Sequence, residues 1–226
     1  MGGVNRSFLN IAHRGASAYE PENTVKAFQR AIEMGCDMVE LDVRRSKDDR
    51  LIIMHDSTVN RTTNGYGYVR QKTLEELKEL DAGGGEKIPT LQEVMDIASG
   101  KTGLVIELKE EGTEKAVLEL IRKYDCVDKS YVISFKRGLL KTIKQLEPEI
   151  KTGLVLSLAI GAVSRGRECE ADAIGPYHFF ITPGLVRKAE ENDMVVLAWT
   201  VNSPGRAQKL LDMGVRGIVT DMPDMF

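Results

Sequence analysis

Two spacings of apolar residues alternate along this chain. Short runs in which neighbouring or alternate positions are apolar mark strands, and stretches with an apolar return every third or fourth residue mark amphipathic helices. Leu9 to His13 reads as a first strand. Asn23-Thr24 supplies a helix cap, Val25, Phe28, Ala31 and Ile32 form one helical face, and Gly35 stops the helix. Met38-Val39-Glu40-Leu41-Asp42-Val43 is the second strand. Strand, helix and strand in this order form a crossover unit, which makes the two strands parallel.

The rhythm changes after Arg44. Leu51 to Met54 is a short apolar strand, and the Lys47-Asp48-Asp49-Arg50 turn before it predicts antiparallel pairing back onto the second strand. Asn64-Gly65 is a turn signal, with Tyr66, Tyr68 and Val69 beyond it. Thr73 with Glu76, and Thr90 with Glu93, match the capping box and open two short helices. Gly83-Gly84-Gly85 between them reads as a flexible loop.

From Leu104 the alternation returns. Strands are predicted at 104–109, 131–135, 153–157, 171–176, 195–201 and 217–221, with helices opening at Thr113, before Leu139, at Thr182-Pro183 and at Ser203-Pro204. The stretch from Ala159 to Tyr177 is weakly patterned. Eight strands alternating with helices predict an α/β fold, a parallel (β/α)8 TIM barrel, ahead of a doubly wound open sheet. All 226 residues are expected in one such domain, with 57–90 a small insertion at its C-terminal mouth. Only Pro223 to Phe226 follow the last strand, so the last helix is expected to be truncated or missing. A barrel flank left bare in this way is the one sequence argument for a homo-oligomer.

Composition excludes several partners. Hydrophobic residues make up 42% and charged residues 29%, enough for a sizeable core, and a net charge of -3 gives no basic field for nucleic acid. No apolar run reaches the ~20 residues of a membrane span. The residues before Phe8 carry no signal-peptide pattern, and Arg6 breaks the acylation motif that Met1-Gly2 begins. Cys36, Cys126 and Cys169 are odd in number and lack metal spacing, so reduced thiols and a cytoplasmic location are expected.

Candidate chemistry gathers at the strand ends. Residues two apart share a strand face, so Glu40 and Asp42 project together, opposite Val39, Leu41 and Val43. On that strand alone, a wet polar face and a cation site explain the pair equally well. In a barrel, however, all strand C-termini open on one mouth, where active sites are built. Glu107 brings a third carboxylate there. Three converging acids repel one another and lose hydration, and an all-oxygen ligand set suits Mg2+ or Ca2+ better than zinc. Taken alone, Glu107 is explained as simply by a salt bridge to Lys109. Of the 3 histidines, His13 and His55 fall at strand ends beside the acids, and His178 falls in the loop after the sixth barrel strand. A pair of imidazoles divides proton acceptance and donation, while Arg14 and Lys109 add cationic donors suited to a phosphate. Trp199 stands at the end of the seventh barrel strand.

These residues sit in motifs with a family likeness. His13-Arg14-Gly15, Pro21-Glu22-Asn23-Thr24, Glu40-Leu41-Asp42-Val43, His55-Asp56 and Arg61-Thr62-Thr63-Asn64-Gly65 resemble the glycerophosphodiester phosphodiesterase family, in its single-domain bacterial and archaeal form. Ile88-Pro89-Thr90-Leu91, Ile106-Glu107-Leu108-Lys109, Trp199-Thr200-Val201-Asn202 and Gly217-Ile218-Val219-Thr220-Asp221 continue the resemblance in order. It implies a metal-dependent barrel enzyme that cleaves glycerophosphodiesters into sn-glycerol 3-phosphate and an alcohol. On the matching positions it implies Glu40, Asp42 and Glu107 as ligands of one divalent cation and His13 and His55 as the acid–base pair. Arg14 and Lys109 would then contact phosphate or the metal site, and Trp199 would line the pocket. The short, Gly-rich connection from Asp81 to Ile88 departs from the longer aromatic segment common in the family, which bears on pocket shape.

Two rivals keep the same barrel. A lysophospholipase D-type phosphodiesterase would use the same site with an apolar lip, for which Tyr66 and Tyr68 of the insertion are the candidates. A catalytically silent binding protein is the other, and the intact set of His13, His55, Glu40, Asp42 and Glu107 argues against it. The expected partner is a small-molecule glycerophosphodiester.

Overall fold

The computed structural model describes residues 7–226, so the amino-terminal signal and acylation readings lie outside the described residues. β1 (Leu9–Ala12) leads through α1 (Val25–Glu33) to β2 (Met38–Arg45), which turns back as the short β3 (Leu51–Ile53). α2 (Leu74–Glu79) and α3 (Leu91–Ala98) follow. Then come β4 (Gly103–Leu108), α4 (Glu114–Lys123), β5 (Ser130–Ser134), α5 (Arg137–Leu146), β6 (Lys151–Leu156) and α6 (Ala162–Arg167). β7 (Ala173–Pro176), α7 (Pro183–Glu190), β8 (Val195–Ala198), α8 (Pro204–Asp212) and β9 (Gly217–Thr220) complete the alternation.

Parallel pairing runs from β1 through β2, β4, β5, β6, β7 and β8 to β9 and returns from β9 to β1, closing an eight-stranded barrel. β1 accompanies β2 only as far as Val39, and β3 then takes over that edge in antiparallel register, Val43 opposite Ile53. Strand alternation sorts the side chains into layers. Val39, Leu41 and Val43 point outward and pack with Phe28, Ala31, Leu91 and Met95 of the flanking helices. Each fully buried Val, Leu, Phe or Met side chain among them contributes about 1.5–3 kcal/mol relative to exposure. Ile11, Met38, Val105, Tyr131, Leu197 and Val219 fill the barrel interior. Two residues further along the same strands stand His13, Glu40, Glu107, Ile133, Trp199 and Asp221, so the apolar plug becomes the floor of the mouth.

Residues after β3 build a small cluster of their own from Ile52, Met54, Val59, Val69, Leu77 and Ile88. Both expected capping boxes form, at Thr73 with Glu76 and at Thr90 with Glu93. The glycine triplet is a defined turn rather than a flexible loop. Gly83, Gly84 and Gly85 have φ of 106°, 62° and 88°, a run open to glycine, and Asp81 Oδ1 accepts from the Gly83 and Gly85 N–H groups at 2.7 and 3.1 Å. After β9 comes one helical turn, Pro223–Met225. Asn10 Nδ2 donates to the Pro223 carbonyl at 2.7 Å, and the Phe226 ring meets Phe8 edge-on at 5.0 Å, so this flank is partly covered by the chain itself. α6 lies in the weakly patterned stretch; its six residues bury only Ala162, Val163 and Gly166, too few for an apolar period to show.

Candidate active site

Ladder register brings the acids together. Asp42 on β2 lies directly across from Glu107 on β4, and Glu40 precedes Asp42 on the same inward face. One carboxylate oxygen from each of the three lies within 4.8 Å of the others, and all three side chains are buried. Buried anions need counter-charges. Lys109 Nζ stands 2.9 Å from Asp42 Oδ1 and 2.7 Å from Glu107 Oε1, so it bridges the two acids rather than pairing with Glu107 alone. Arg14 Nε lies 3.3 Å from Asp42 Oδ2, its backbone N–H donates to Glu40 Oε2 at 3.0 Å, and Asn23 Nδ2 donates to Asp42 Oδ2 at 2.8 Å. Arg14 and Asn23 reach inward because each adopts a left-handed backbone, φ 55° and 58°.

Three acids against two cations leave a deficit, and it falls on Glu40. Burial and the Asp42 charge push its carboxyl up to about 8. Burial also raises Glu107, with Lys109 opposing, whereas Lys109 and Arg14 overcome burial and hold Asp42 below the usual carboxylate range. Asp42 Oδ1 is buried and, although close to Lys109, receives no aligned hydrogen bond. A surplus carboxyl and an unfilled buried oxygen in an all-oxygen cluster are the conditions a hard divalent cation satisfies. The residues therefore fit such an ion.

Each histidine at the mouth rests on a carboxylate. His13 Nδ1 lies 2.6 Å from Asp221 Oδ1, which also accepts from Ser17 Oγ at 2.9 Å, while Asn202 Nδ2 donates to Asp221 Oδ2 at 2.5 Å. These donors overcome burial and hold the Asp221 carboxyl down at about 2. His55 Nδ1 lies 2.6 Å from Asp56 Oδ1, and the Arg44 guanidinium fixes the His55 carbonyl from 2.7 and 3.0 Å. In both pairs Nε2 is the ring nitrogen left for other partners. The two imidazoles are driven apart. Burial lowers both, but at His13 the Asp221 and Glu40 carboxylates more than offset it and the net shift is upward, whereas at His55 burial prevails.

Arg61, in the segment after β3, ties these parts together. It donates to both oxygens of Asp56, at 2.8 and 3.2 Å, and to both of Glu22, each at 2.8 Å. Glu22 in turn accepts from Arg14 Nη1 at 2.9 Å. One guanidinium thus braces the partner of His55 and the partner of Arg14.

Residues 13–225 match the Glycerophosphoryl diester phosphodiesterase family. The chain belongs to that family. It is similar to the glycerophosphodiester phosphodiesterase of Caldanaerobacter subterraneus, 39% identical over 96% of this chain and 95% of the relative. A glycerophosphodiester phosphodiesterase of Bacillus subtilis is 33% identical, covering 96% of this chain and 85% of the relative. Among solved structures, a phosphodiesterase of Oleispira antarctica in complex with the product sn-glycerol-3-phosphate superposes with a TM-score of 0.89. That match has 33% identity and covers 95% of this chain and 93% of the other.

The phosphodiesterase-family motifs converge on one pocket, lined by His13, Arg14, Glu40, His55, Glu107 and Lys109 on one side and by Ile133, Phe135, Val155, Leu197, Trp199 and Val219 on the other. Trp199 closes the apolar side with its Nε1 donating to the Gly175 carbonyl at 2.6 Å. His178 stands apart from the acids: it is buried, and its Nδ1 accepts from Arg206 Nε at 3.1 Å. Tyr66 and Tyr68, the candidates for an apolar lip in the lysophospholipase D-type reading, are exposed and are not among the pocket-lining residues. Glu22, Asn23, Asp56, Arg61 and Asp221 are the contributors that sequence spacing did not assign. Asp56, an acid immediately after a strand-end histidine, and Asp221, at the end of the last predicted strand, had local signals.

Proposed function

We propose that this protein is a metal-dependent glycerophosphodiester phosphodiesterase, hydrolysing glycerophosphodiesters to sn-glycerol 3-phosphate and an alcohol. The observation that carries the reading is the pairing of a three-carboxylate cluster with two carboxylate-backed histidines around one pocket. Glu40, Asp42 and Glu107 would hold one divalent cation, Mg2+ or Ca2+. Such an ion, when bound, supplies positive charge against the phosphoryl oxygens and the charge that builds on them.

The chain's own groups supply the rest. Arg14 and Lys109 present fixed cationic donors to a phosphate, already oriented by the acids they neutralise. One of His13 and His55 takes the proton from the attacking hydroxyl, and the other delivers a proton to the departing alkoxide. Environments that push the two imidazoles in opposite directions suit such a division. Asp221 and Asp56 hold each ring through Nδ1, which fixes the tautomer that leaves Nε2 to exchange protons.

The test is release of glycerol 3-phosphate from glycerophosphoethanolamine, before and after chelation, with readdition of Mg2+ or Ca2+. The expected result is loss of turnover on chelation and its return with one of the two ions. Turnover indifferent to chelation sinks the metal assignment, and full turnover in His13→Ala or His55→Ala sinks the acid–base pair.

A further inference from the structure

The mouth carries a second feature that the acids and histidines leave unused. Among the described residues, the exposed large apolar side chains other than tyrosines and Leu146 are Phe135, Leu158, Ile160, Phe179 and Phe180. All five follow the C-terminal ends of three neighbouring strands, β5, β6 and β7. Ile160 and Phe179 are the barest, at 80% and 68% exposure. Exposed apolar side chains gathered at one end of the barrel mark an interaction or ligand-binding surface.

Ring contacts join the aromatic part of this rim to the pocket wall. Phe135 meets Trp199 edge to face at 5.8 Å, and both line the pocket. Trp199 meets Tyr177 at 5.6 Å, and Tyr177 meets Phe179 at 5.6 Å and Phe180 at 6.3 Å. Leu158 and Ile160 leave β6, which lies between β5 and β7. None of the pocket-lining residues contributed from β5 onward is charged.

A phosphodiester has two organic substituents, and the two halves of this mouth sort them. Glycerol brings free hydroxyls, which need polar partners and find them only on the side of Arg14, Glu40, Glu107 and Lys109. The departing alcohol is then left facing the apolar side. A charged headgroup there would lose hydration against aliphatic and aromatic walls with no anionic partner, whereas an aliphatic chain would gain by leaving water. We propose that the arc from Trp199 and Phe135 out to Ile160 and Phe179 is a leaving-group subsite. It takes glycerophosphodiesters whose departing alcohol carries an aliphatic chain. This rests on the phosphodiesterase reading above. The reaction is unchanged: the water oxygen ends on phosphorus, the bond from phosphorus to the chain-bearing oxygen breaks, and that oxygen leaves protonated as the free alcohol.

The test is kcat/KM for glycerophospho-n-alkyl esters from ethyl to dodecyl, each below its aggregation concentration, with glycerophosphoethanolamine alongside. The expected result is a rise of roughly two- to fourfold per methylene until the chain outruns the rim. Ile160→Ser and Phe179→Ser, both at exposed positions, are expected to cut the dodecyl-to-ethyl ratio by about tenfold each. Equal values along the series, or a rim variant that lowers every ester by the same factor, overturns the subsite. So does a choline ester that outruns its uncharged tert-butyl isostere, since the arc would then read a cation through its aromatic faces. Binding to phosphatidylcholine vesicles that the rim variants abolish, beside a flat alkyl series, reassigns the arc to a bilayer surface and overturns it as well. Absence of turnover with every ester, glycerophosphoethanolamine included, is failure of the phosphodiesterase reading. Calorimetric binding of the same alkyl series then still decides the chain dependence.

Discussion

Around one arc of the barrel mouth, from β1 to β4, the side chains entering the pocket are mostly charged, and each ionic group is held by at least one partner. Around the other, from β5 to β8, they are apolar, and the surface beyond them stays open to solvent. The first arc cannot be made from local sequence alone. Its acids come from β2 and β4, its histidines from β1 and the segment after β3, and their supports from β9 and the insertion. The second arc needs only strand alternation and bulky residues. Charge in a buried site demands many fixed partners, so a substitution on the charged arc is expected to cost far more than one on the apolar arc.

The sharpest way to break that contrast is to remove an acid. Glu40→Gln and Glu107→Gln are each expected to lower kcat/KM about a thousandfold, with loss of divalent-cation binding in calorimetric titration. The same Glu40→Gln change is expected to leave the metal-free fold no less stable at pH 7, because burial and the Asp42 charge already push its carboxyl up, so that its charged form is disfavoured there. An E40Q protein that binds the cation with undiminished affinity removes Glu40 from the cluster.

The next largest effect tests whether the insertion belongs to the charged arc. Arg61→Gln, at a residue that touches none of Glu40, Asp42, Glu107 or the histidines, is expected to lower activity about 10- to 100-fold, the usual range for a group that orients its neighbours. Combining it with Asp56→Asn should cost less than the product of the single effects, since both loosen His55. Strict multiplicativity would mean that Arg61 acts elsewhere.

How much of this was legible in the sequence follows the same division. Apolar runs of two to six residues marked every barrel strand, since burial on both faces leaves little room for polar residues. Glu40, Asp42, Glu107, His13 and His55 were legible once the barrel was inferred, because the fold itself sends strand ends to one mouth. The parts played by Glu22, Arg61 and Asp221 were not, although all three stand in the quoted motifs, since each acts through a contact between distant segments that no local spacing encodes. The apolar rim was not legible either. Tyr66 and Tyr68 are conspicuous in the sequence, but whether a bulky residue overlooks the pocket depends on which strand end carries it, and Phe135 and Trp199 hold those places.

The smallest effect is also the most specific to the charged arc. In metal-free protein, His13 and Asp221 stabilise each other over a bounded pH window. Asp221 is depressed to about 2, so its contribution is present above the unfolded carboxylate value of about 3.9 and is lost as pH falls through 2. His13 is raised, so its contribution is full below the unfolded value of about 6.5 and fades as pH rises through its folded value. The stability difference between wild type and Asp221→Asn should therefore peak between about pH 4 and 6.5, at roughly 1–2 kcal/mol, and shrink on both sides. Denaturant melts in chelator across this range measure it, and His13 should titrate lower in the variant by NMR. A difference that does not vary with pH would mean that Asp221 acts as a neutral hydrogen-bond acceptor for Asn202 and Ser17, and that His13 draws its upward shift from Glu40 alone.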